Sequence, residues 1–356
     1  MSNSTAPEKP TFWAAAKDAR RLLVLDLGFL GDTVHLIPAL GVIREAWPAA
    51  ELHVMVASHV VELLQATPWI DQVHGYPRFP KGPKPWQDVG RVLALRATQF
   101  DAVINLNGSD RSSFLTRLTG APVRLGRCSS ITLKKRILFS HPLLLPRGKQ
   151  AVWKQHCECL QRAGIPSSTP RFLVEIPGHV KESAAAKLGM AIGTERHLVH
   201  VSPFTTQDHK ELPVHTLAAS LNEIHGRAQD LPFVISCANN ERELHKLAQL
   251  MDLLLFVPHR VFAGSLGLLE LLAVLSVSRV HLGGDSGGLH VAVMAGAPTV
   301  SWFRDYEGAV EWMPSGEAHV VLCGESTDTG IQGITSHAIA DAASKSISVG
   351  SGIIRM

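Results

Sequence analysis

The chain has 356 residues, more than one hydrophobic core usually supports, so we expect two domains. Its formal net charge of +3 is small for this length and gives no general argument for a nucleic-acid partner. We therefore expect no binding to nucleic acid, and only a local basic cluster could indicate another charged partner.

The cysteines and the N-terminus predict the compartment. The five cysteines form neither an even disulfide framework nor a CxxC pair, which favours reduced thiols in a cytoplasmic protein. Residues 1–20 lack the apolar core of a signal peptide and are predicted to be a disordered lead. The longest apolar segment, 265–277, is too short to span a bilayer. We expect a soluble protein.

The first ordered segment has the pattern of a strand, a loop and a helix. An apolar run at 22–27 is followed by Gly28, Gly31 and Asp32 and then by a helical pattern over 33–46. The same alternation predicts strands near 52–57, 72–75 and 102–106 and helices near 60–66, 86–97 and 112–118. Apolar strands separated by helices are typical of a parallel sheet covered on both faces.

The middle of the chain, from about 124 to 193, is less regular and contains one good helix candidate at 152–163. The alternation then restarts, with strands near 198–202, 233–237, 253–257, 280–283, 299–302 and 320–322 and helices near 214–225, 241–251, 266–277 and 287–295. Two α/β halves joined near 176–195 imply a cleft at the carboxyl ends of their strands. We predict domains at 21–180 and 181–330, then a helix and tail at 331–356.

The most informative segment is 279–297, RVHLGGDSGGLHVAVMAGA, in which a strand leads into a glycine-rich elbow and then a helix. Glycines allow close approach of the backbone, and the first helical turn presents free N–H groups with a partial positive charge, so a phosphate is the expected ligand. GDSGG also surrounds the nucleophile of chymotrypsin-like serine proteases, and His156 lies upstream. The helical pattern after Gly287 argues against that alternative.

Three blocks of sequence resemble one family. They are LDLGFLGDTVHLIPAL at 25–40, SPFTTQDHKELP at 202–213 and GGDSGGLHVAVMAGAPTVSWF at 283–303. In order and spacing they resemble the inverting heptosyltransferases of lipopolysaccharide core synthesis, glycosyltransferase family 9. The resemblance implies the GT-B fold, in which two Rossmann-like domains with parallel sheets face each other across a cleft.

The resemblance also implies roles for individual residues. Asp32 corresponds to the general base, for which the alternative from the residues alone is a helix N-cap. Thr205, Thr206 and Lys210 would contact the diphosphate, Lys210 acting with the 283–290 elbow on the leaving group. In the elbow, Asp285 would bind sugar hydroxyls, Ser286 and the Gly287 N–H would bind phosphate oxygens, and His290 would support the site.

Two further sets of residues are less firmly placed. Glu241 stands where the family often has a glutamate on the nucleotide ribose, and ordinary first-turn helix charge is the alternative. Acceptor binding is expected for Gly31 and for the basic residues Arg127, Lys134, Lys135 and Arg136, for which a solvated basic face is the alternative. The sequence departs from the family at Asp26, where Arg is usual, at Gly28 and Phe29, where Ser is usual, and at Leu212, where Trp is usual.

The function implied is transfer of a heptose or related sugar from an ADP-sugar co-substrate to a lipopolysaccharide core or similar glycan acceptor. The acceptor would be met in the cytoplasm, at the inner membrane surface. No grouping of residues has metal-ligand spacing, so we expect no metal and no other cofactor. A nucleotide-sugar epimerase and a non-catalytic nucleotide-binding relative are the alternatives that the same fold would allow.

Overall fold

The computed structural model describes residues 10–78, 84–146, 148, 150–328 and 330–349, apart from the side chains at 85, 86 and 349. Contacts divide the chain into two compact units, Met1–Glu175 and Ile176–Met356. Within the expected lead and tail, residues 1–9 and 350–356 lie outside the described residues.

The first unit is built on a six-stranded parallel sheet with the order β3-β2-β1-β4-β5-β6. Its strands are β1 Arg21–Leu25, β2 Glu51–Ala57, β3 Gln72–Tyr76, β4 Ala102–Asn105, β5 Val123–Cys128 and β6 His141–Leu144. The central strands β1, β2 and β4 are buried almost throughout, as expected for a sheet with both faces covered.

In the described part of this unit the sheet is accompanied by seven α-helices: α1 Phe12–Ala16, α2 Leu30–Ala46, α3 Val61–Gln65, α4 Val89–Ala97, α5 Asp110–Leu118, α6 Leu133–Leu138 and α7 Val152–Arg162. Helix α5 contacts α4 and α6, whereas α2 contacts α7. Right-handed crossovers from β1 outward in both directions put these two groups of helices on opposite faces of the sheet.

Two predictions for this unit are wrong. The lead is not disordered at 12–16, because Thr11 caps α1, Phe12 is buried, and the Trp47 indole N–H donates to the Ala16 carbonyl at 2.8 Å. The middle region is not irregular either, since it contains β5, α6 and β6. Strand β5 carries two arginines, and β6 is a short edge strand containing Pro142, so neither has the apolar run that marks the other strands.

The second unit contains a seven-stranded sheet with the order β13-β12-β11-β10-β7-β8-β9, parallel except for the antiparallel β13. Its strands are β7 Leu198–Ser202, β8 Phe233–Cys237, β9 Arg260–Ala263, β10 Ser278–Gly284, β11 Thr299–Arg304, β12 His319–Thr327 and β13 Gly330–Gln332. Its helices are α8 Gly178–Leu188, α9 Val214–Arg227, α10 Glu241–Leu253, α11 Leu268–Ser276, α12 Gly287–Met294 and α13 Ser336–Val349.

The strand predicted at 253–257 is wrong. Helix α10 continues to Leu253, and Leu255 and Val257 are 88% and 90% exposed in the turn that follows. Asn222 holds this turn at the surface, since its side chain donates to the Leu253 carbonyl and accepts from the Leu255 N–H. The strand begins at Arg260 instead. An apolar run alone did not distinguish a strand from the end of a helix and its exposed turn.

The segment predicted as a joint between the halves, 176–195, contains α8. This helix packs against α11, where the Glu270 carboxylate accepts from the Ser183 hydroxyl and the Lys187 ammonium, each at 2.6 Å. At the other end of the unit, α13 packs against α9 and buries Ile339, Ala340 and Ala343.

Candidate functional site

The glycine-rich elbow of the second unit lies between the end of β10 and the start of α12. Ser286 is the extended N-cap residue and Gly287 is the first residue of the helix. The Ser286 hydroxyl is buried and has no hydrogen-bond partner among the described residues. A helix N-terminus with an unsatisfied hydroxyl at its cap has the chemistry of an anion site.

A lysine and an aspartate form an ion pair at this elbow. Lys210, the last residue of a 3₁₀ turn Asp208–Lys210, places its ammonium 2.7 Å from the Asp285 carboxylate. The Asp285 side chain is 7% exposed and that of Lys210 is 23% exposed. The pair is neutral as a whole, and its Lys210 ammonium is the part that solvent and a ligand can still reach.

His290 lies in the same helix, buried and in edge contact with the Trp312 ring at 5.6 Å between centroids. Burial lowers the pKa of His290 to about 4, with a contribution from the positive charge of Lys210. The imidazole is therefore neutral at pH 7. The structure thus brings Lys210, Asp285 and His290 together, as the sequence predicted.

The loop that carries Thr205 and Lys210 is braced by residues that the sequence reasoning missed. The buried Glu211 carboxylate accepts from the Thr205 N–H at 2.7 Å, and it pairs with Arg242 at 3.0 Å and Lys246 at 2.6 Å. Arg242 also donates to the Thr205 carbonyl. The spacing of Arg242 and Lys246, four residues apart on α10, was the available signal that two cations share one face.

The other predicted residues of this unit are exposed. Thr206 lies at the surface of the loop, and Glu241 is the exposed first residue of α10. Glu243 is the acidic residue that stabilises the helix start, because its carboxylate accepts from the Ala238 N–H at 2.7 Å. Glu243, and not Glu241, therefore stabilises the start of α10, and the exposed Glu241 side chain is accessible to a ligand.

In the first unit, Gly31 and Asp32 lie in the first turn of α2. Gly31 is buried, and the half-buried Asp32 is the third helical residue. Its carboxylate accepts from the Phe29 N–H at 2.8 Å. Asp32 is thus not the N-cap residue itself, although it satisfies a backbone donor at the helix start. A Cβ at Gly28 would lie 2.2 Å from the Asp32 Cβ, so glycine is required for this placement.

Asp26, where the family usually has Arg, lies beneath this loop. Its buried carboxylate accepts from the Gly28 N–H at 2.8 Å and the Asn107 side chain at 3.1 Å, and the His156 ring is 4.0 Å away. These contacts fix the loop that carries Asp32. The His156 noted in the protease alternative therefore belongs to the support of this loop.

The basic residues predicted to bind an acceptor do not form one exposed face. Arg127 is buried at the end of β5, where it donates to Gln155. Lys135 donates to the Ser113 hydroxyl at 2.7 Å and the Gly108 carbonyl at 3.0 Å. Only Lys134 and Arg136 are exposed. The expected acceptor binding by Arg127 and Lys135 finds no support in the structure, because both side chains turn inward and donate to acceptors within the unit.

Two kinds of feature are absent from the described part of the chain. It contains no cluster of three or more His, Cys, Asp or Glu residues that could hold a metal ion. None of its helices combines the length and apolarity needed to cross a bilayer.

The family model of glycosyltransferase family 9 (heptosyltransferase) matches residues 91–332. The lipopolysaccharide core heptosyltransferase OpsX of Haemophilus influenzae is 25% identical over 296 residues, which cover 83% of this chain and 81% of that protein. A solved structure of a family 9 glycosyltransferase from Veillonella parvula has a TM-score of 0.77 at 18% identity and covers 93% of this chain and 97% of that one. Escherichia coli ADP-heptose lps heptosyltransferase II has a TM-score of 0.74 at 14% identity, covering 93% and 100%.

The two α/β units have largely parallel sheets, and the chain matches these solved structures along more than nine-tenths of its length. These observations show the GT-B fold. The family model covers more than half of the sequence. The chain belongs to glycosyltransferase family 9. The protease, epimerase and non-catalytic alternatives are therefore set aside.

Proposed function

We propose that the chain transfers a heptose or related sugar, with inversion, from an ADP-sugar to a lipopolysaccharide core or similar glycan acceptor. The acceptor would be met on the cytoplasmic side of the inner membrane. The relatives named above as lipopolysaccharide heptosyltransferases, one of them with ADP-heptose in its name, support this substrate class. The observation that carries the proposal is the elbow, where the Lys210 ammonium, the buried Ser286 hydroxyl and the start of α12 occur together.

The elbow would stabilise the leaving group. As the bond between the anomeric carbon and the diphosphate oxygen breaks, its electron pair moves to that oxygen, and ADP departs with the added negative charge. Lys210 and the first amides of α12, with the Ser286 hydroxyl, would bind the phosphate oxygens as this charge develops. A lysine and helix amides can supply this stabilisation without a metal, so we propose metal-independent chemistry.

Other residues of the second unit would position the donor. Thr205 lies in a loop that Glu211 and Arg242 hold in place, and we propose that this loop contacts the diphosphate. Thr206 and Glu241 are accessible, and we propose that they contact the phosphate and the ribose. Asp285 would bind sugar hydroxyls with its carboxylate while retaining its pair with Lys210.

Asp32 would act as the general base. Its carboxylate takes the proton from the acceptor hydroxyl while the hydroxyl oxygen attacks the anomeric carbon on the face opposite the diphosphate, so one displacement inverts the configuration. The bond from the Phe29 N–H holds the carboxylate at the start of α2. Gly31 beside it, and the exposed Lys134 and Arg136, are the acceptor-binding candidates that we retain in this unit.

The test is Asp32→Asn, which keeps the size of the side chain and removes the basic carboxylate. We expect kcat for transfer from ADP-heptose to fall by about 10³-fold, the usual range for loss of a general base, with donor affinity by calorimetry unchanged. Asp18→Asn, a change at an exposed aspartate of the same unit, is the matched control and should retain the activity. A kcat for Asp32→Asn within threefold of the unmodified protein would refute the assignment of the base.

A further inference from the structure

Helices α5 and α6 expose large apolar side chains in pairs four residues apart. Phe114 and Leu118 are 48% and 43% exposed on α5, and Leu133 and Ile137 are 76% and 61% exposed on α6. Residues with this spacing lie on one side of a helix, so each helix presents an apolar ridge to solvent. Apolar clusters of this kind usually mark interaction surfaces.

Folding of the unit does not explain the ridge on α5, because most of the buried residues of that helix are polar. Its buried residues are Ser112, Ser113 and Thr116 with a single apolar residue, Leu115, while Phe114 points outward. The buried hydroxyls are satisfied: the Asn105 amide donates to the Thr116 hydroxyl at 2.9 Å, and Ser112 donates to the Ser109 carbonyl at 2.9 Å. The helix thus packs through Leu115 and through polar contacts, while its largest apolar residue, Phe114, stays exposed.

The two ridges belong to one surface. The Lys135 ammonium fastens α6 to α5 through its bonds to the Ser113 hydroxyl and the Gly108 carbonyl. Next to it, the Lys134 ammonium lies 4.8 Å from the centroid of the Phe114 ring and 2.8 Å from the Asp110 carboxylate. We call this the α5–α6 surface, comprising Phe114, Leu118, Leu133 and Ile137 with the exposed cations Arg117, Lys134 and Arg136.

Charge indicates what this surface binds. The sequences of α5 and α6 contain five basic residues and one acidic residue, a local net charge of +4, whereas the whole chain has +3. An apolar centre with a basic rim is complementary to an anionic lipid surface, where apolar side chains enter the boundary of headgroups and acyl chains and cations contact phosphates. A second copy of the chain would bring two such positive surfaces together, which repulsion disfavours.

We propose that the α5–α6 surface docks the protein on a bilayer of anionic phospholipid. Phe114, Leu133 and Ile137 enter the interface, and Arg117, Lys134 and Arg136 bind the headgroup phosphates. This association needs no membrane-spanning helix. Its use, on the proposed function, is to hold the transferase at the layer in which a lipid-anchored acceptor lies, but the docking itself requires neither donor nor acceptor.

The experiment is sedimentation of the full chain with vesicles of phosphatidylcholine, with and without 30% phosphatidylglycerol. We expect binding to the anionic vesicles only, and a strong reduction in 0.5 M NaCl because salt screens the attraction. Leu133→Ser with Ile137→Ser should weaken binding at least about tenfold, and Arg117→Gln with Lys134→Gln by about as much. The matched control is Leu255→Ser with Val257→Ser, at two exposed apolar residues of the second unit, which should bind as the unmodified protein does.

Several results would overturn the proposal: no binding to anionic vesicles, equal binding to both vesicle types, or unchanged binding by the Leu133/Ile137 variant. A dimer in ultracentrifugation that this variant abolishes would assign the surface to a second copy instead. The replaced side chains are exposed, so circular dichroism and the melting temperature should be unchanged. In the Leu133→Ser with Ile137→Ser variant, which changes no residue assigned to the transferase site, transfer to a delipidated, soluble acceptor should also be unchanged. This separates a failure of docking from a failure of the transferase.

Discussion

The two units each place an aspartate near the start of a helix behind glycines, but they hold the two carboxylates differently. Asp285 is nearly fully buried and paired with the Lys210 ammonium, whereas the half-buried Asp32 accepts from the backbone N–H of Phe29. The ion pair engages the Asp285 carboxylate with Lys210, whereas the Asp32 carboxylate is placed by the backbone of its own loop. The comparison favours Asp32 as the base and Asp285 as part of a fixed electrostatic site.

The support behind the two carboxylates differs as well. In the second unit, Gly284 packs so closely that a Cβ there would lie 2.8 Å from the Trp302 indole nitrogen and 3.0 Å from the Lys210 carbonyl. Glu211 with its two cations braces the same loop from the other side. In the first unit, Asp32 depends on the space at Gly28 and on a loop fixed through Asp26. The first site should therefore be more easily displaced by a small change.

Lys210→Met should have the largest effect. It removes the positive charge at the diphosphate, and we expect kcat/KM to fall by about 10³-fold. It also leaves Asp285 buried without its partner, which should lower the free energy of unfolding by about 2 kcal/mol, less than for a fully buried pair because Lys210 is partly exposed. Adding Asp285→Asn should recover most of the stability and none of the activity, as measured by urea unfolding and transfer rates.

A second ion pair of the same unit provides the control. Lys187→Met breaks the 2.6 Å pair with Glu270 between α8 and α11, and we expect it to reduce stability while transfer continues at its normal rate. If Lys210→Met kept kcat/KM within tenfold of the unmodified protein, the elbow would not be the leaving-group site.

Gly28→Ala tests the more exposed of the two carboxylates. Because the new Cβ would collide with Asp32, the carboxylate must move, and a displacement near 1 Å should reduce kcat by about 10²-fold with donor affinity unchanged. Gly90→Ala is the control, since a Cβ at that position in α4 meets nothing within 4 Å and should only stabilise the helix. A normal kcat in Gly28→Ala would mean that transfer does not require Asp32 at its observed position.

The elbow and the start of α2 could be predicted from sequence because their signals are local. An apolar run, a glycine cluster and a helical period follow each other within about twenty residues at 279–297. Strands β5 and β6 could not be found in the same way, because their arginines and proline break the apolar run. Their place at one end of the sheet becomes evident only when the neighbouring strand β4 is in position.

The basic run shows a second limit. Adjacent residues in a sequence do not show on which side of a helix each side chain lies. Lys135 turns inward to Ser113, while Lys134 beside it stays exposed. Likewise Glu211 is one acid in a polar loop until α10 brings Arg242 and Lys246 against it. Contacts between elements distant in sequence decide these roles, and no local pattern records them.

His290→Asn provides the smallest predicted effect, in the pH dependence of stability. The folded pKa of His290 is about 4, below the unfolded value of 6.5, so above pH 6.5 both states are neutral and the residue adds no pH dependence. As the pH falls from 6.5 towards 4, the unfolded state binds the proton first and stability is lost. At pH 5 the loss of unfolding free energy caused by His290 is about 2 kcal/mol in the unmodified protein, and the variant lacks this loss.

Urea unfolding of both proteins from pH 8 to pH 5 measures the loss caused by His290, and the flat region between pH 7 and 8 is the internal control. If the difference in unfolding free energy between the two proteins stayed constant down to pH 5, His290 could carry a charge inside the folded second unit. The elbow would then be no more enclosed than the start of α2.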